Sequence, residues 1–303
     1  MPFALDPDKP FDEAVEAVAV SQLEDAIELL KKKPKGLYEA IHDARKKFKR
    51  VRGLYRLVRP AAKDFAKAEN ARIRDLAGAL SAGRDATALI ECVDYLRESV
   101  QTGKADMALA RLEAGLIARR AASELSEAEL KSHVKDAIGG CRDAIEAVKK
   151  FDFADGAKAA GHCIEKAWKR ELAHAQVALM TAQAEGEDEN FHELRKKSQT
   201  YWMFTALASA AWPSALKSKR TEAKALADLL GHEHDLSVLI ALLDGPDAPD
   251  IGADILTACR VLAARKRKEL RKRAIKAARK VFGDEAEEEA EILGTLWRKR
   301  MKG

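Results

Sequence analysis

The stretch that decides the fold is Leu37–Arg59, which reads LYEAIHDARKKFKRVRGLYRLVR. Apolar side chains recur every three or four residues from Ile41 to Val58, which predicts an amphipathic α-helix with one face toward a core. Pro60 then ends the helix. A second set of positions follows the same spacing, over an arc of roughly 80° and a length of about 21 Å. We name it the basic stripe; it consists of His42, Arg45, Lys49, Arg52 and Arg56.

The rest of the chain predicts an all-α fold. Its 303 residues are 47% hydrophobic and only 6% aromatic, a composition that favours helices over sheets. The longest apolar run, Met203–Trp212, is about half of the ~20 residues that cross a bilayer, and the N-terminus does not resemble a signal peptide. The four cysteines are widely spaced, which disfavours a disulfide scaffold or a zinc site and favours buried thiols in a cytoplasmic protein. The sequence contains no Walker loop, GxGxxG, GxSxG or HExxH motif.

Proline, glycine and capping signals divide the chain into about twelve helices, six in each half. In the first half, the predicted helices are Asp12 to about Lys32, Leu37–Arg59, Ala61 to about Ala82, Asp85–Val100, Lys104–Ser123 and a sixth to about Lys150 that Ser126 and Glu129 open as a capping box. In the second half, they are Gly156–Ala184, Glu189–Ala211, Ser214–Leu230 (ended by Gly231), Asp235–Leu243, Ala253–Phe282 and Glu285–Lys302.

Two motifs recur at one offset of 150 residues. The segment from His42 to Lys47 matches the segment from His192 to Lys197, and Leu80–Asp85 matches Leu230–Asp235. We therefore predict two homologous helical halves, residues 1–150 and 151–303, related by a pseudo-two-fold axis within one compact domain. Corresponding residues then face each other across the axis, and the two halves form a basic central cleft or pore.

A basic cleft of this kind is expected to bind a polyanion. Arginine binds phosphate through a planar pair of N–H groups, lysine adds a point charge, and a histidine beside phosphate gains a proton more easily. Arg74 and Lys224 match at the same offset and are further candidates. A second basic segment, Arg260–Lys280, has eleven Lys or Arg residues against one acid, and Arg265 is its weaker candidate.

The paired H-x-x-R-K motif and the L-x-x-x-R/H-D turn resemble the CHAD family, whose name means conserved histidine α-helical domain. The resemblance covers about residues 11–300. It implies two pseudo-symmetric helical halves, polyphosphate binding in a basic cavity or pore, and association with polyphosphate granules. Gln199 stands where the motif expects Lys or Arg, and Trp202 replaces the counterpart of Arg52. The family's motif falls on His42, Arg45, Lys46, Lys49, His192, Arg195 and Lys196.

The leading hypothesis is non-catalytic polyphosphate binding, with no cofactor, no metal and no membrane contact. One alternative is a phosphotransfer or polyphosphate-hydrolysing enzyme that uses His42 or His192, although no carboxylate near the basic stripe is evident to hold Mg²⁺. Another is a nucleic-acid binder, which the scarcity of aromatic residues disfavours. The His232–Glu233–His234 segment is a weak metal candidate, because residues two apart on a helix diverge. Asp85 and Asp235 are expected to cap helices.

Overall fold

The computed structural model describes residues 3–80, 84–100, 103–123, 127–153 and 156–301. Within these ranges the regular secondary structure is α-helical, which confirms the predicted fold class. The helices are α1 (Phe11–Lys32), α2 (Leu37–Val58), α3 (Lys63–Ala79), α4 (Arg84–Glu98), α5 (Lys104–Ser123), α6 (Glu127–Lys149), α7 (Ala157–Ala184), α8 (Asp188–Leu207), α9 (Pro213–Asp244), α10 (Ala253–Val281) and α11 (Ala286–Arg300).

The prediction of two helices between Ser214 and Leu243 is wrong, because α9 runs through Gly231 without a break. A glycine in a helix interior costs only about 1 kcal/mol relative to alanine. Four leucines on the two sides of it are buried and continue one apolar face along the helix: Leu226, Leu230, Leu236 and Leu239. Asp235 therefore lies inside α9 and does not cap a helix. Ser126 and the side chain of Asp85, the other predicted caps, lie outside the described residues.

The buried apolar side chains form two clusters that do not divide at residue 150. The larger cluster joins α1, α2, α3 and α6 with α7, α8, α11, the first part of α9 and the last part of α10. The smaller cluster packs α4 and α5 against the last part of α9 and the first part of α10. All four cysteines are buried and free, as predicted for thiols that pack as small apolar groups.

Helices α2 and α8 approach each other closely at Gly53. A Cβ atom built there would lie 2.5 Å from Met203 Sδ and 3.1 Å from Met203 Cβ, so glycine is what lets the two helices touch. One turn further along α2, Arg56 Nη1 donates a 2.8 Å hydrogen bond to Thr200 Oγ1 of α8. Gly53 and Met203 stand 150 positions apart in the sequence.

The acidic segment at the start of α11, from Asp284 to Glu291, pairs with α7, α8 and α9. Glu289 is buried and accepts hydrogen bonds from Trp168 Nε1 (3.0 Å), Tyr201 Oη (2.7 Å) and Lys219 Nζ (3.0 Å). Asp284 also accepts from Lys219. None of the described helices is both long enough and apolar enough to span a membrane.

Candidate anion-binding site

A cavity of about 730 Å³ lies where α2 and α3 meet α7 and α8. Two helices of the first half and two of the second supply its walls. We name it the basic cavity, because eight Lys or Arg residues line it against two glutamates. The cations are Arg52, Arg56, Arg59, Lys67, Arg74, Arg170, Lys196 and Lys197, and the acids are Glu171 and Glu193.

Neutral acceptors orient the arginines of the basic stripe that face this cavity. Arg52 Nε donates to Asn70 Oδ1 at 2.7 Å, and Arg56 Nη1 donates to Thr200 Oγ1. Further along the same stripe, Arg45 Nη1 donates to the backbone carbonyl of Ala77. An amide, hydroxyl or carbonyl oxygen fixes a guanidinium in place but does not neutralise it, so these bonds hold the side chains and leave their positive charge.

The charges of these arginines are crowded. The pKa of Arg52 is lowered to about 10, mainly by burial and in the same direction by the nearby Arg56 and Arg74. Burial also lowers the pKa of Arg56, although Glu171 and Glu193 act in the opposite sense. Both guanidiniums remain charged at neutral pH. A bound anion would relieve their repulsion and their loss of hydration, so the cavity favours an anionic ligand.

The two glutamates correct the expectation that no carboxylate lies near the basic stripe. Glu193 pairs with Lys196 at 2.5 Å and with Lys197 at 3.4 Å, while Glu171 pairs with Arg170 at 3.3 Å. Burial alone would raise the pKa of Glu193, but the two lysines outweigh it and lower that pKa. Both carboxylates are therefore already engaged by cations of the same cavity.

A second group of predicted residues meets at the contact of α8 with α9. His192 Nδ1 and His234 Nδ1 lie 3.3 Å apart, and Arg195 and Lys49 are close enough to lower the pKa of His234. Burial is the larger cause and, together with these cations, brings that pKa to about 4. We name this group the histidine cluster; it consists of Lys49, His192, Arg195 and His234.

The two histidines of the histidine cluster are uncharged at neutral pH. Burial and the neighbouring Lys196 lower the pKa of His192, and the pKa of His234 is lower still, so both imidazoles are neutral at pH 7. The two histidines are therefore not additional cations at this pH. Arg195 Nε is buried and has no hydrogen-bond acceptor among the described residues. Burial lowers the pKa of this arginine, while Asp235 and Glu233 act against that shift.

The remaining predicted residues lie in different surroundings. Arg74 lines the basic cavity and also pairs with its neighbour Asp75. His42 is half-buried on α2, one turn before Arg45. Lys224 pairs with Asp228 and lies 5.6 Å from the centre of the Trp202 ring, outside the cavity lining.

Lys46 and Arg265 also lie outside the lining of the basic cavity. Lys46 pairs with Asp43 at 2.9 Å and lines a different groove, between α1 and α2. Arg265 is exposed on α10.

The sequence analysis missed several residues of the cavity. Arg59 and Lys67 were not among its candidates, and neither was Lys197, although its neighbour Lys196 was chosen. Arg170 and His174 come from α7, where a spacing of four places them on the same helix face. That spacing was the one sequence signal that these two residues act together. It identifies them as cavity residues only once α7 is known to pack against α2.

Among the described residues, no group of three or more His, Cys, Asp or Glu side chains is placed to hold a metal ion. The His232–Glu233–His234 segment instead points in three directions. The His232 ring stacks on Tyr95 with a centroid distance of 4.1 Å, and Glu233 accepts a 2.7 Å hydrogen bond from Arg271 Nε. His234 faces His192.

Comparisons with known proteins agree with this fold. PptA from Streptomyces chartreusis is 16% identical, with a TM-score of 0.60 over 91% of this chain and 100% of that one. The crystal structure of the CHAD domain from the plant Ricinus communis is also 16% identical, with a TM-score of 0.61 over 92% of this chain and 94% of that one. No protein with a curated description matches the sequence. The family model described as CHAD domain matches residues 17–244, so the chain belongs to the CHAD domain family.

Proposed function

We propose that this protein binds linear inorganic polyphosphate without catalysis, along α2 between the histidine cluster and the basic cavity. The observation that carries the proposal is the pair of half-buried arginines held by neutral acceptors, Arg52 on Asn70 and Arg56 on Thr200. A guanidinium that is oriented but not neutralised has N–H groups and charge left for phosphate oxygens. The CHAD family to which the chain belongs is associated with polyphosphate, which supports the choice of ligand.

The basic stripe gives a repeating anion a continuous path. Arg45 to Arg56 spans eleven residues, or about 17 Å along the axis of α2. Lys49 lies between them at the histidine cluster, and the buried Arg195 Nε there lacks a protein acceptor among the described residues. A linear polyanion can contact these cations in turn, whereas a single phosphate would contact few of them at once.

We propose further that residues 1–150 and 151–303 are two repeats that meet at the crossing of α2 and α8. The contact of Gly53 with Met203 supports this arrangement, because the two residues occupy matching positions at the offset of 150 and the axis would pass between them. The second repeat contributes less charge, because Trp202 stands in the place of Arg52 and stacks beside Lys224.

The test is a pair of variants with equal loss of charge. Arg52→Gln combined with Arg56→Gln should weaken long-chain polyphosphate binding at least tenfold and make its salt dependence shallower by about 1 to 2 in the logarithmic slope. Arg111→Gln combined with Arg142→Gln removes two exposed arginines elsewhere and should leave binding nearly unchanged. Fluorescence anisotropy at several salt concentrations measures both. Equal affinities for the two variants would refute the proposal.

An enzyme of phosphate transfer is the first competing function. The glutamates that could hold Mg²⁺, Glu171 and Glu193, are engaged by lysine and arginine, which supports a binding role. Incubation with polyphosphate and Mg²⁺ or Mn²⁺, followed by a phosphate assay, should give no turnover. Turnover that is lost in His192→Gln would establish the enzyme instead.

Nucleic acid is the second competing ligand. The aromatic residue in the cavity lining, Tyr55, is fully buried, so no exposed ring is offered for stacking on bases. We expect polyphosphate to displace RNA or DNA at equal phosphate concentration and fixed salt. A preference for either nucleic acid would reverse the assignment.

We also propose that the protein lies at cytoplasmic polyphosphate granules. The test is whether a fluorescent fusion of the protein co-localises with stained granules.

A further inference from the structure

The outward face of α10 has a row of unneutralised cations. Arg265, Lys268, Lys272 and Lys276 follow one another at spacings of three and four, so they share a strip of the helix about 17 Å long. All four are exposed, whereas Leu270, Ala274 and Ala278 on the opposite side of the helix are buried. We name these four residues the α10 outer stripe.

The neighbouring cations of α10 differ from the α10 outer stripe in having acidic partners. Arg267 and Arg271 pair with Asp188, and Lys266 and Arg273 pair with Glu269. Among the described residues, the four residues of the α10 outer stripe make no hydrogen bond or ion pair. Like charges one turn apart on a helix repel by a few tenths of a kcal/mol for each pair. The stripe is therefore a concentrated positive surface, and the acid nearest to it on the helix, Glu269, is already paired with Lys266 and Arg273.

We propose that the α10 outer stripe is a second contact surface for polyphosphate, which engages chains too long to be held by the basic cavity alone. This inference rests on the proposed function and extends it. The basic cavity, with its half-buried arginines, supplies a defined site that a short chain can fill. The stripe supplies exposed point charges that a flexible polyanion can meet in many registers, so it should add affinity mainly for long chains.

The composition of α10 favours polyphosphate over nucleic acid at this surface. The helix from Ala253 to Val281 contains no Phe, Tyr or Trp, so no aromatic ring on it can stack on a base. Three of the four cations are lysines, which attract charge without the paired geometry that reads a base edge. The acidic segment after α10 is engaged with α7, α8 and α9, as described above, and so does not occupy the stripe.

The experiment measures tripolyphosphate and long-chain polyphosphate binding for three proteins. These are the wild type, a stripe variant with all four residues changed to Gln, and a control variant with Lys149, Lys150, Lys158 and Lys166 changed to Gln. The control residues are also exposed and remove the same charge. The stripe variant should keep tripolyphosphate affinity, lose long-chain affinity at least tenfold, and show a salt slope shallower by up to about 3 for the long chain. The control should behave as the wild type, and the thermal midpoints of all three should agree.

Each other result has a distinct meaning. Wild-type protein that binds neither ligand contradicts the proposed function. Wild-type protein that binds both, with a stripe variant that binds long chains equally well, overturns the stripe proposal and leaves the cavity site standing. Equal losses in the stripe and control variants also overturn it, because net charge would then explain the effect. A stripe variant that loses RNA binding but keeps long-chain polyphosphate binding would assign the surface to nucleic acid instead.

Discussion

The histidine cluster predicts that polyphosphate affinity rises as the pH falls below 7. In the free protein, burial and the nearby Arg195, His192 and Lys49 hold the pKa of His234 at about 4, so the ring is neutral at pH 7. A polyanion placed against these cations would stabilise the protonated ring and raise its pKa toward the ordinary value of about 6.5. Binding then takes up a proton, and affinity is lost as the pH rises through the window from about 4 to about 6.5.

The pKa values set the size of this effect. A rise in the pKa from about 4 to about 6.5 bounds the total change in affinity at about 300-fold, of which about 20-fold falls between pH 5 and pH 7. The ring is only half-buried, and solvent screening reduces the coupling. We therefore expect roughly a tenfold gain in affinity from pH 7 to pH 5.

The assay is a titration of long-chain polyphosphate at constant salt from pH 5 to pH 8, since in long chains the titrating end groups are a small fraction of the phosphates. His234→Gln should bind with a much flatter pH profile, whereas His162→Gln, which changes an exposed histidine on α7, should keep the wild-type profile. Calorimetry in two buffers of different ionisation enthalpy measures the proton uptake directly. A wild-type profile that is flat, or one that His234→Gln leaves unaltered, would refute this reasoning.

Three further predictions test the site and the fold. Lys196→Gln should weaken polyphosphate binding several-fold, whereas Lys46→Gln should leave it unchanged in the same anisotropy assay, because only Lys196 lines the basic cavity. Glu193→Gln should strengthen binding several-fold by removing a carboxylate that competes for the cavity lysines, and a weaker affinity would contradict this role. Gly161→Ala should lower the free energy of unfolding by about 1–3 kcal/mol in urea titrations, because its Cβ would lie 2.8 Å from the carbonyl oxygen of Gly294; an unchanged midpoint would exclude the clash.

The sequence was informative where a property belongs to a single helix. The spacing within Leu37–Arg59 predicted both the buried face of α2 and the side from which Arg52 and Arg56 enter the basic cavity. It could not distinguish Lys46 from Lys196, because the two have the same local motif. Lys46 meets Asp43 beside α1, whereas Lys196 faces α2 and α3 across the cavity.

Features that depend on packing between helices far apart in the chain could not be predicted from a local sequence pattern. Arg170 and His174 reach the cavity only because α7 packs against α2, more than 100 residues away in the chain. The continuity of α9 was missed because the weak helix propensity of Gly231 was weighed without the buried leucines around it. Tertiary burial outweighs propensity in such a case.

The contact of Gly53 with Met203 has a consequence for how such a protein can arise. If the two proposed repeats began as separate identical chains, each would have met its own copy at the proposed two-fold axis, so one residue type would have served both sides. Two methionines would clash at this distance, and two glycines would leave a void. Joining the copies in one chain would let the two positions diverge, one to glycine and the other to methionine. The same freedom would allow Arg52 in one proposed repeat and Trp202 in the other, so that one chain would have one charged half-site and one packed half-site.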